Sequence, residues 1–67
     1  MATYRITIEA QFTNGNSTHD VIPVMTNENA EVIYSKYVAF VKDNADKITS
    51  ARVSLFFNRN EVHRFTL

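Results

Sequence analysis

The segment TYRITIEAQFTNGNSTHDVIPV, residues 3–24, contains two strand patterns separated by a turn signal. Apolar and polar side chains alternate strictly along its first half, which predicts a strand with one buried face. The apolar members of this alternation are Tyr4, Ile6, Ile8, Ala10 and Phe12. Asn14-Gly15 follows, and both residues tolerate the positive φ angles of a tight hairpin turn. The segment therefore predicts a β-hairpin whose second strand runs from about Ser17 to Val24.

Two registers of this hairpin are compatible with the sequence. A two-residue turn at Asn14-Gly15 pairs Ile8 with Val21. A three-residue loop that extends through Asn16, with the glycine in the left-handed conformation beside a bulge, pairs Ile8 with Ile22 instead. Because the second register turns the apolar side chains of the second strand toward the core, burial favours it.

The segment TNENAEVIYSKYVAFVKDNADKI, residues 26–48, predicts one helix. Thr26 or Asn27 can cap its N-terminus, and Glu28 lies near the positive end of the helix dipole. On a helical wheel, apolar side chains form one stripe, which we expect to pack on the sheet. The stripe consists of Ala30, Ile33, Tyr34, Tyr37, Val41, Ala45 and Ile48, with Val38 and Phe40 at its margins.

The last segment, which ends in SLFFNRNEVHRFTL at residues 54–67, predicts a second hairpin with a tight turn in NRNE. Adjacent strand residues point to opposite faces, so Phe56 and Phe57 cannot both enter the core. The alternation places Phe57 inside with Val53 and Leu55, and Phe56 outside. In the last strand, His63, Phe65 and Leu67 share the inner face, and Val62, Arg64 and Thr66 share the outer face.

The element order is thus β-β-α-β-β, which predicts an α+β fold in a single domain of residues 1–67. If chain direction alternates, the first and last strands can pair in parallel at the centre of a four-stranded mixed sheet with the order 2-1-4-3. The helix then packs on one face. Pro23 cannot donate a ladder hydrogen bond, so the second strand is expected at an edge.

This layout resembles the immunoglobulin-binding domains of protein G and protein L and, more loosely, the ubiquitin-like β-grasp. The stretches TYRITI and AEVIYSKYVAFVKDN are similar to the first strand and the helix of that type. As architecture, the resemblance covers nearly the whole chain and implies a four-stranded sheet crossed by one helix. Because fold does not imply function, antibody binding is not inferred from it.

Composition excludes several classes of protein. The chain has no Cys, seven basic and seven acidic residues, and a formal net charge of zero. No disulfide framework is therefore possible, and no global field attracts the chain to nucleic acid or to an anionic membrane. The N-terminal sequence lacks the pattern of a signal peptide, and no apolar run is long enough to span a bilayer. We expect a cytoplasmic protein.

Catalytic and metal-binding motifs are missing from the sequence. His19 and His63 lack the spacing of a metal site, and no serine lies in a nucleophile motif such as G-x-S-x-G. A single Gly cannot form a phosphate-binding loop. We therefore predict that the protein is not an enzyme and has no cofactor, no metal and no small-molecule substrate.

The outer face of the predicted sheet is the candidate partner-binding surface. It brings together Arg5, Arg52, Phe56, Val62 and Arg64. Arginines around an exposed aromatic are typical of protein interfaces, whether with another protein or with a second copy. The same set could grip phosphates and stack a base, as in nucleic-acid binders that use a sheet face. A third interpretation gives Phe56 no further role and places it under the stems of Arg52 and Arg64.

Recognition through a surface suits so small a domain better than a substrate cleft. We predict a small non-enzymatic protein-binding module that uses its sheet face or an edge strand, with a homodimer as one form. The third strand, RVSLFF at residues 52–57, is the edge expected to accept another strand. Size and composition resemble those of small orphan proteins of bacteria and their phages, which suggests an inhibitor or regulator. The alternative is a nucleic-acid-binding protein that uses Arg5, Arg52, Arg64 and Phe56.

Overall fold

The computed structural model describes residues 3–67, so the first two residues of the expected 1–67 domain lie outside the described part. The elements are β1 (Tyr4–Phe12), β2 (Ser17–Val24), α1 (Asn27–Asp43), a 3₁₀ turn (Ala45–Lys47), β3 (Ile48–Phe57) and β4 (Asn60–Thr66). The predicted α+β class is confirmed, with one helix and one four-stranded sheet in the described chain. No helix in residues 3–67 is long and apolar enough to cross a membrane.

The strand order is β2-β1-β3-β4, and every neighbouring pair is antiparallel. The predicted mixed sheet with the order 2-1-4-3 is therefore wrong, and the β-grasp assignment is not confirmed. β2, which contains Pro23, lies at one edge as expected. The directions of all four strands also agree with the prediction, since β3 runs antiparallel to β1. The error concerns the neighbour of β1, which was predicted to be β4 and is β3.

β3 is much more buried than β4, in agreement with its central position. Its helix-facing side chains Ile48, Ala51, Val53 and Leu55 are buried, and Ser54 on the opposite face is only 2% exposed. β4 has only half-buried or exposed side chains. A central strand has a strand on each side and is therefore more buried than an edge strand such as β4. RVSLFF is consequently not an edge, and strand addition at β3 is excluded as a mode of binding.

The β1–β2 hairpin has neither of the two predicted registers, because Ile8 lies opposite Asp20. The loop has three residues, Thr13–Gly15, and Gly15 has the left-handed φ of 91°. The amide of Gly15 donates to the Phe12 carbonyl at 3.1 Å, and the amide of Phe12 donates to the Asn16 carbonyl at 2.8 Å. The loop thus begins one residue earlier than predicted, which shifts the pairing by two positions and preserves the face of each side chain.

Helix α1 begins after Thr26, whose hydroxyl accepts a hydrogen bond from the first turn at 3.3 Å. It ends at Asp43, not at Ile48 as the apolar stripe predicted. Asn44 stops it: its side-chain amide donates to the Phe40 carbonyl at 2.8 Å and occupies an acceptor at the end of the helix. The chain then makes the 3₁₀ turn, and Ile48 enters the core as the first residue of β3.

The core lies between α1 and one face of the sheet. Its buried apolar members are Ile6, Ile8, Ala10, Val24, Ala30, Val41, Ile48, Ala51, Val53 and Leu55. Phe57 extends this face, with its ring 4.9 Å from that of Tyr4. The helix lies over β1 and β3 and contacts β2 much less. Two surfaces follow from this placement: an uncovered sheet face opposite the helix, and a gap between the helix and β2.

Candidate functional site: the open sheet face

We call the sheet side that points away from α1 the open face. Cross-strand pairing aligns its side chains in rows that run from β2 across β1 and β3 to β4. The first row is Pro23, Arg5, Phe56 and Glu61. The second is Val21, Thr7, Ser54 and Arg64, and the third is His19, Glu9, Arg52 and Thr66. The first two rows hold the apolar side chains, and the third row holds only polar ones.

Arg5 and Phe56 are direct cross-strand neighbours in the first row. The guanidinium carbon of Arg5 lies 4.6 Å from the centre of the Phe56 ring, within cation–π distance. Phe56 is half-buried as a result. An arginine does cover the ring, but it is Arg5 and not the expected pair Arg52 and Arg64. The two residues form a compact amphipathic unit at one end of the open face.

Arg52 lies two rows away from Phe56 and is bound by a carboxylate. One of its guanidinium nitrogens lies 3.1 Å from an oxygen of Glu9, its neighbour on β1. The other oxygen of Glu9 is 3.7 Å from the imidazole of His19 on β2. This carboxylate therefore ties three strands together across the third row and offsets the charge of Arg52.

Arg64 is also bound by an acidic neighbour, because its guanidinium lies 2.8 Å from the carboxylate of Glu61. Partial burial by itself would raise the pKa of Glu61. Hydrogen bonds from Arg64 and from the Ser54 hydroxyl stabilise the charged form more strongly, and they hold the pKa of this carboxyl below its ordinary value.

Val62 lies at an irregularity of the β3–β4 pairing. Leu55 is opposite His63, but Phe56 is opposite Glu61, so Val62 is the extra residue of a β-bulge. Its side chain is 47% exposed. A bulge in an edge strand hinders the addition of another strand, as does Pro23 on the opposite edge. Both edges of the sheet are thus poorly suited to accept another strand. The open face remains as the candidate surface for contact with a partner.

Three of the five predicted site residues, Arg5, Phe56 and Val62, lie near one end of the open face, whereas Arg52 and Arg64 belong to separate ion pairs. The prediction missed Glu61, which it left in the turn. It also missed Val21 and Pro23, which extend the apolar part of the face onto β2. Only the cross-strand register reveals these neighbours, since alternation alone does not align one strand with the next.

The histidines occupy different surroundings. His19 belongs to the open face, whereas His63 lies on the helix side of β4, 3.3 Å from Glu31 and stacked 5.7 Å from the Tyr34 ring. Partial burial raises the pKa of the Tyr34 phenol, and the charges of Glu31 and Glu61 raise it further. Within residues 3–67, no three His, Asp or Glu side chains lie close enough together to hold a metal ion.

No protein-family model, no curated protein and no solved structure matches the chain significantly. The function must therefore be argued from the geometry of the described residues.

Proposed function

We propose that the protein is a small non-enzymatic protein-binding module and that the open face is its contact surface. The observation that carries this proposal is the apolar end of that face, where Arg5 lies beside Phe56 on β3 and Pro23 on β2. Val21 and Val62 are the exposed apolar residues of the same face, at 53% and 47%. Aromatic and arginine side chains are enriched in protein interfaces. An inhibitor or regulator of another protein would use the same surface.

The charges favour a second copy of the chain as the occupant. The net charge is zero, so two copies do not repel one another as whole molecules. Glu9 and Glu61 offset the charges of Arg52 and Arg64 within the open face, which reduces the local repulsion to that of Arg5. A two-fold symmetric contact would place the apolar end of each copy against the open face of the other.

Solution molar mass, measured by light scattering behind a sizing column across a wide concentration range, tests this contact. We expect a dimer that Phe56→Asp converts to a monomer, because the substitution removes the aromatic ring from the contact and adds a carboxylate that would have to be desolvated there. Val32→Asp is the matched control: Val32 is 52% exposed on α1, away from the sheet, and its replacement should leave the dimer intact. Circular dichroism establishes that both variants are folded.

A wild-type monomer at every concentration contradicts self-association and leaves a foreign protein as the occupant. That form of the proposal is tested by affinity capture with the wild type and with Phe56→Asp as parallel baits. A partner retained by the wild type and by Val32→Asp, but not by Phe56→Asp, supports it. Equal recovery by all three baits contradicts a role of the open face.

Nucleic-acid binding through Arg5, Arg52, Arg64 and Phe56 remains the alternative, with weaker support. Two of its three arginines are bound to carboxylates, and Phe56 is covered by the third. Fluorescence anisotropy with a labelled single-stranded oligonucleotide tests it. A nucleic-acid binder loses affinity by about 0.7 log units per tenfold rise in salt for each phosphate neutralised. We expect no saturable binding.

A further inference from the structure

A second surface lies on the other side of the sheet, between α1 and β2. We call it the aromatic groove. Its volume is about 370 Å³, and its apolar wall is formed by Phe12, Tyr37, Phe40 and Ile8. Phe40 is 46% exposed, which is unusual for an aromatic ring beside a core. The groove thus exposes aromatic surface that the fold itself does not bury.

The register of the first hairpin creates the groove. Ile22 and Val24 face the helix near its start, where they are covered. Further along β2, the position opposite Ile8 is occupied by Asp20. In the predicted register Ile22 would have been there and would have filled the space with an aliphatic side chain. The short aspartate leaves the aromatic wall open instead.

Two opposite charges border the groove. Asp20 belongs to the strand wall, and Lys36 belongs to the helix wall, one turn before Phe40. Across residues 3–67, neither Asp20 nor Lys36 takes part in an ion pair. An apolar floor between one unpaired anion and one unpaired cation is complementary to a ligand with an apolar centre and opposite charges on its two sides.

We propose that the aromatic groove binds a protein segment that inserts one large apolar side chain between the rings, with a basic residue toward Asp20 and an acidic residue toward Lys36. The volume lies near the lower limit of about 300 Å³ for ligand pockets, which suits a single anchoring side chain. Aromatic anchors in pockets of this kind contribute most of the affinity in many interfaces. The groove is separated from the open face by the sheet, so this proposal is independent of the one above.

Backbone-amide NMR titrations with blocked peptides test the proposal on the intact chain. The probes contain Lys-Trp-Glu and its reverse, Glu-Trp-Lys, with Lys-Ala-Glu and Ser-Trp-Ser as controls. We expect one of the charged tryptophan peptides to give saturable shifts at the amides around Ile8, Asp20, Lys36 and Phe40. The alanine peptide should bind at least tenfold more weakly, and the serine peptide several-fold more weakly. Shifts that do not saturate, or that appear elsewhere, overturn the proposal.

Variants of the groove test the role of the charges. Phe40→Ala should weaken binding at least tenfold, and Asp20→Lys or Lys36→Glu alone should weaken it several-fold. The double variant Asp20→Lys/Lys36→Glu exchanges both charges. It should prefer the tryptophan peptide whose Lys and Glu stand in the reverse order to that preferred by the wild type. Unchanged preference in the double variant would show that the charges do not orient the ligand and would refute the proposal. Phe56→Asp, which alters only the open face, should bind the peptide as the wild type does.

Discussion

The two faces of the sheet are made by the same strands through simple alternation, but they are stabilised by different interactions. The helix-facing side consists of apolar side chains that α1 covers. The open face has ion pairs between neighbouring strands, at Glu9–Arg52 and Glu61–Arg64. The covered face thus stabilises the fold through burial, whereas the open face keeps its side chains in place through polar contacts and leaves apolar surface uncovered.

Ser54 is the exception to this division, because it is a buried polar residue on the open face. It is only 2% exposed, and its hydroxyl is one of the groups that lower the pKa of Glu61. The open face therefore contains one point at which burial and polar contact coincide. The following substitutions test how sharply the two faces differ.

The largest effect is expected on the covered face. Leu55→Ala removes a side chain that is 0% exposed and should lower the free energy of unfolding by about 2–5 kcal/mol. Val21→Ala, an apolar truncation on the open face, should change it by less than about 0.5 kcal/mol. Urea denaturation of both variants measures the difference. A large effect of Val21→Ala at a concentration where the protein is monomeric would contradict the view that the open face is uncovered.

The second effect concerns the buried serine. Ser54→Ala should lower the free energy of unfolding by about 1 kcal/mol, because it removes the polar hydroxyl of a buried residue that also stabilises the charged form of Glu61. Ser50→Ala, on the same strand but exposed, should have an effect within about 0.5 kcal/mol of zero. If urea denaturation gives the two variants equal stability, the buried hydroxyl of Ser54 contributes no more to the free energy of unfolding than the exposed hydroxyl of Ser50 does.

A smaller effect should appear in the pH dependence of stability. The pKa of Glu61 is lower in the folded chain than its ordinary value, so its ionised form stabilises the fold above that ordinary value. This contribution is lost as the pH falls below the ordinary pKa of 4.5 and through the lower folded-state pKa. Glu61→Gln should therefore flatten the decline in stability between neutral and acidic pH. An unchanged decline, measured by denaturation at several pH values, would contradict the hydrogen bonds assigned to Glu61.

The smallest effect is expected at Glu9, in the exposed third row. Glu9→Gln weakens the contacts to Arg52 and His19, but both partners retain about half of their exposure or more. Exposed pairs contribute about 0–1 kcal/mol, so the free energy of unfolding should hardly change. The same denaturation measured at low and high salt checks this, since any contribution should decrease with salt. A large, salt-independent loss would mean that Glu9 acts through packing.

Local features of the fold could be predicted from sequence more reliably than strand adjacency could. The alternation in β1 and β3 placed Phe57 inside and Phe56 outside, and Pro23 placed β2 at an edge, because each of these inferences depends on one strand at a time. Which strand lies beside β1 depends on a comparison of β3 with β4, the two candidate neighbours. β3 and β4 both show alternation, and the greater burial of β3 is a property of the folded sheet.

The contacts of the candidate site were harder to predict for the same reason, because they depend on how two strands are paired. That Arg5 and Phe56 share a face follows from alternation, but their direct contact depends on the pairing of β1 with β3. The exact start of the hairpin loop determines whether Ile22 or Asp20 lies opposite Ile8. A shift of one residue in the loop therefore decides whether the aromatic groove is filled or open. The left-handed residue of a three-residue hairpin loop is its last, which favours the observed loop that ends at Gly15, whereas the prediction placed this glycine in the middle.

The central position of β3 also has a mechanical consequence. β1 and β4 flank β3 and are both antiparallel to it, with Thr3 bonded to Asn58 near one end of β3 and Leu67 bonded to Ala51 toward the other. A tension applied between residues 3 and 67 would slide β1 and β4 past β3 in opposite directions. Since ladder hydrogen bonds are perpendicular to the strands, this force loads many of them at once in shear. The strand direction is therefore the direction in which the sheet should best resist stretching.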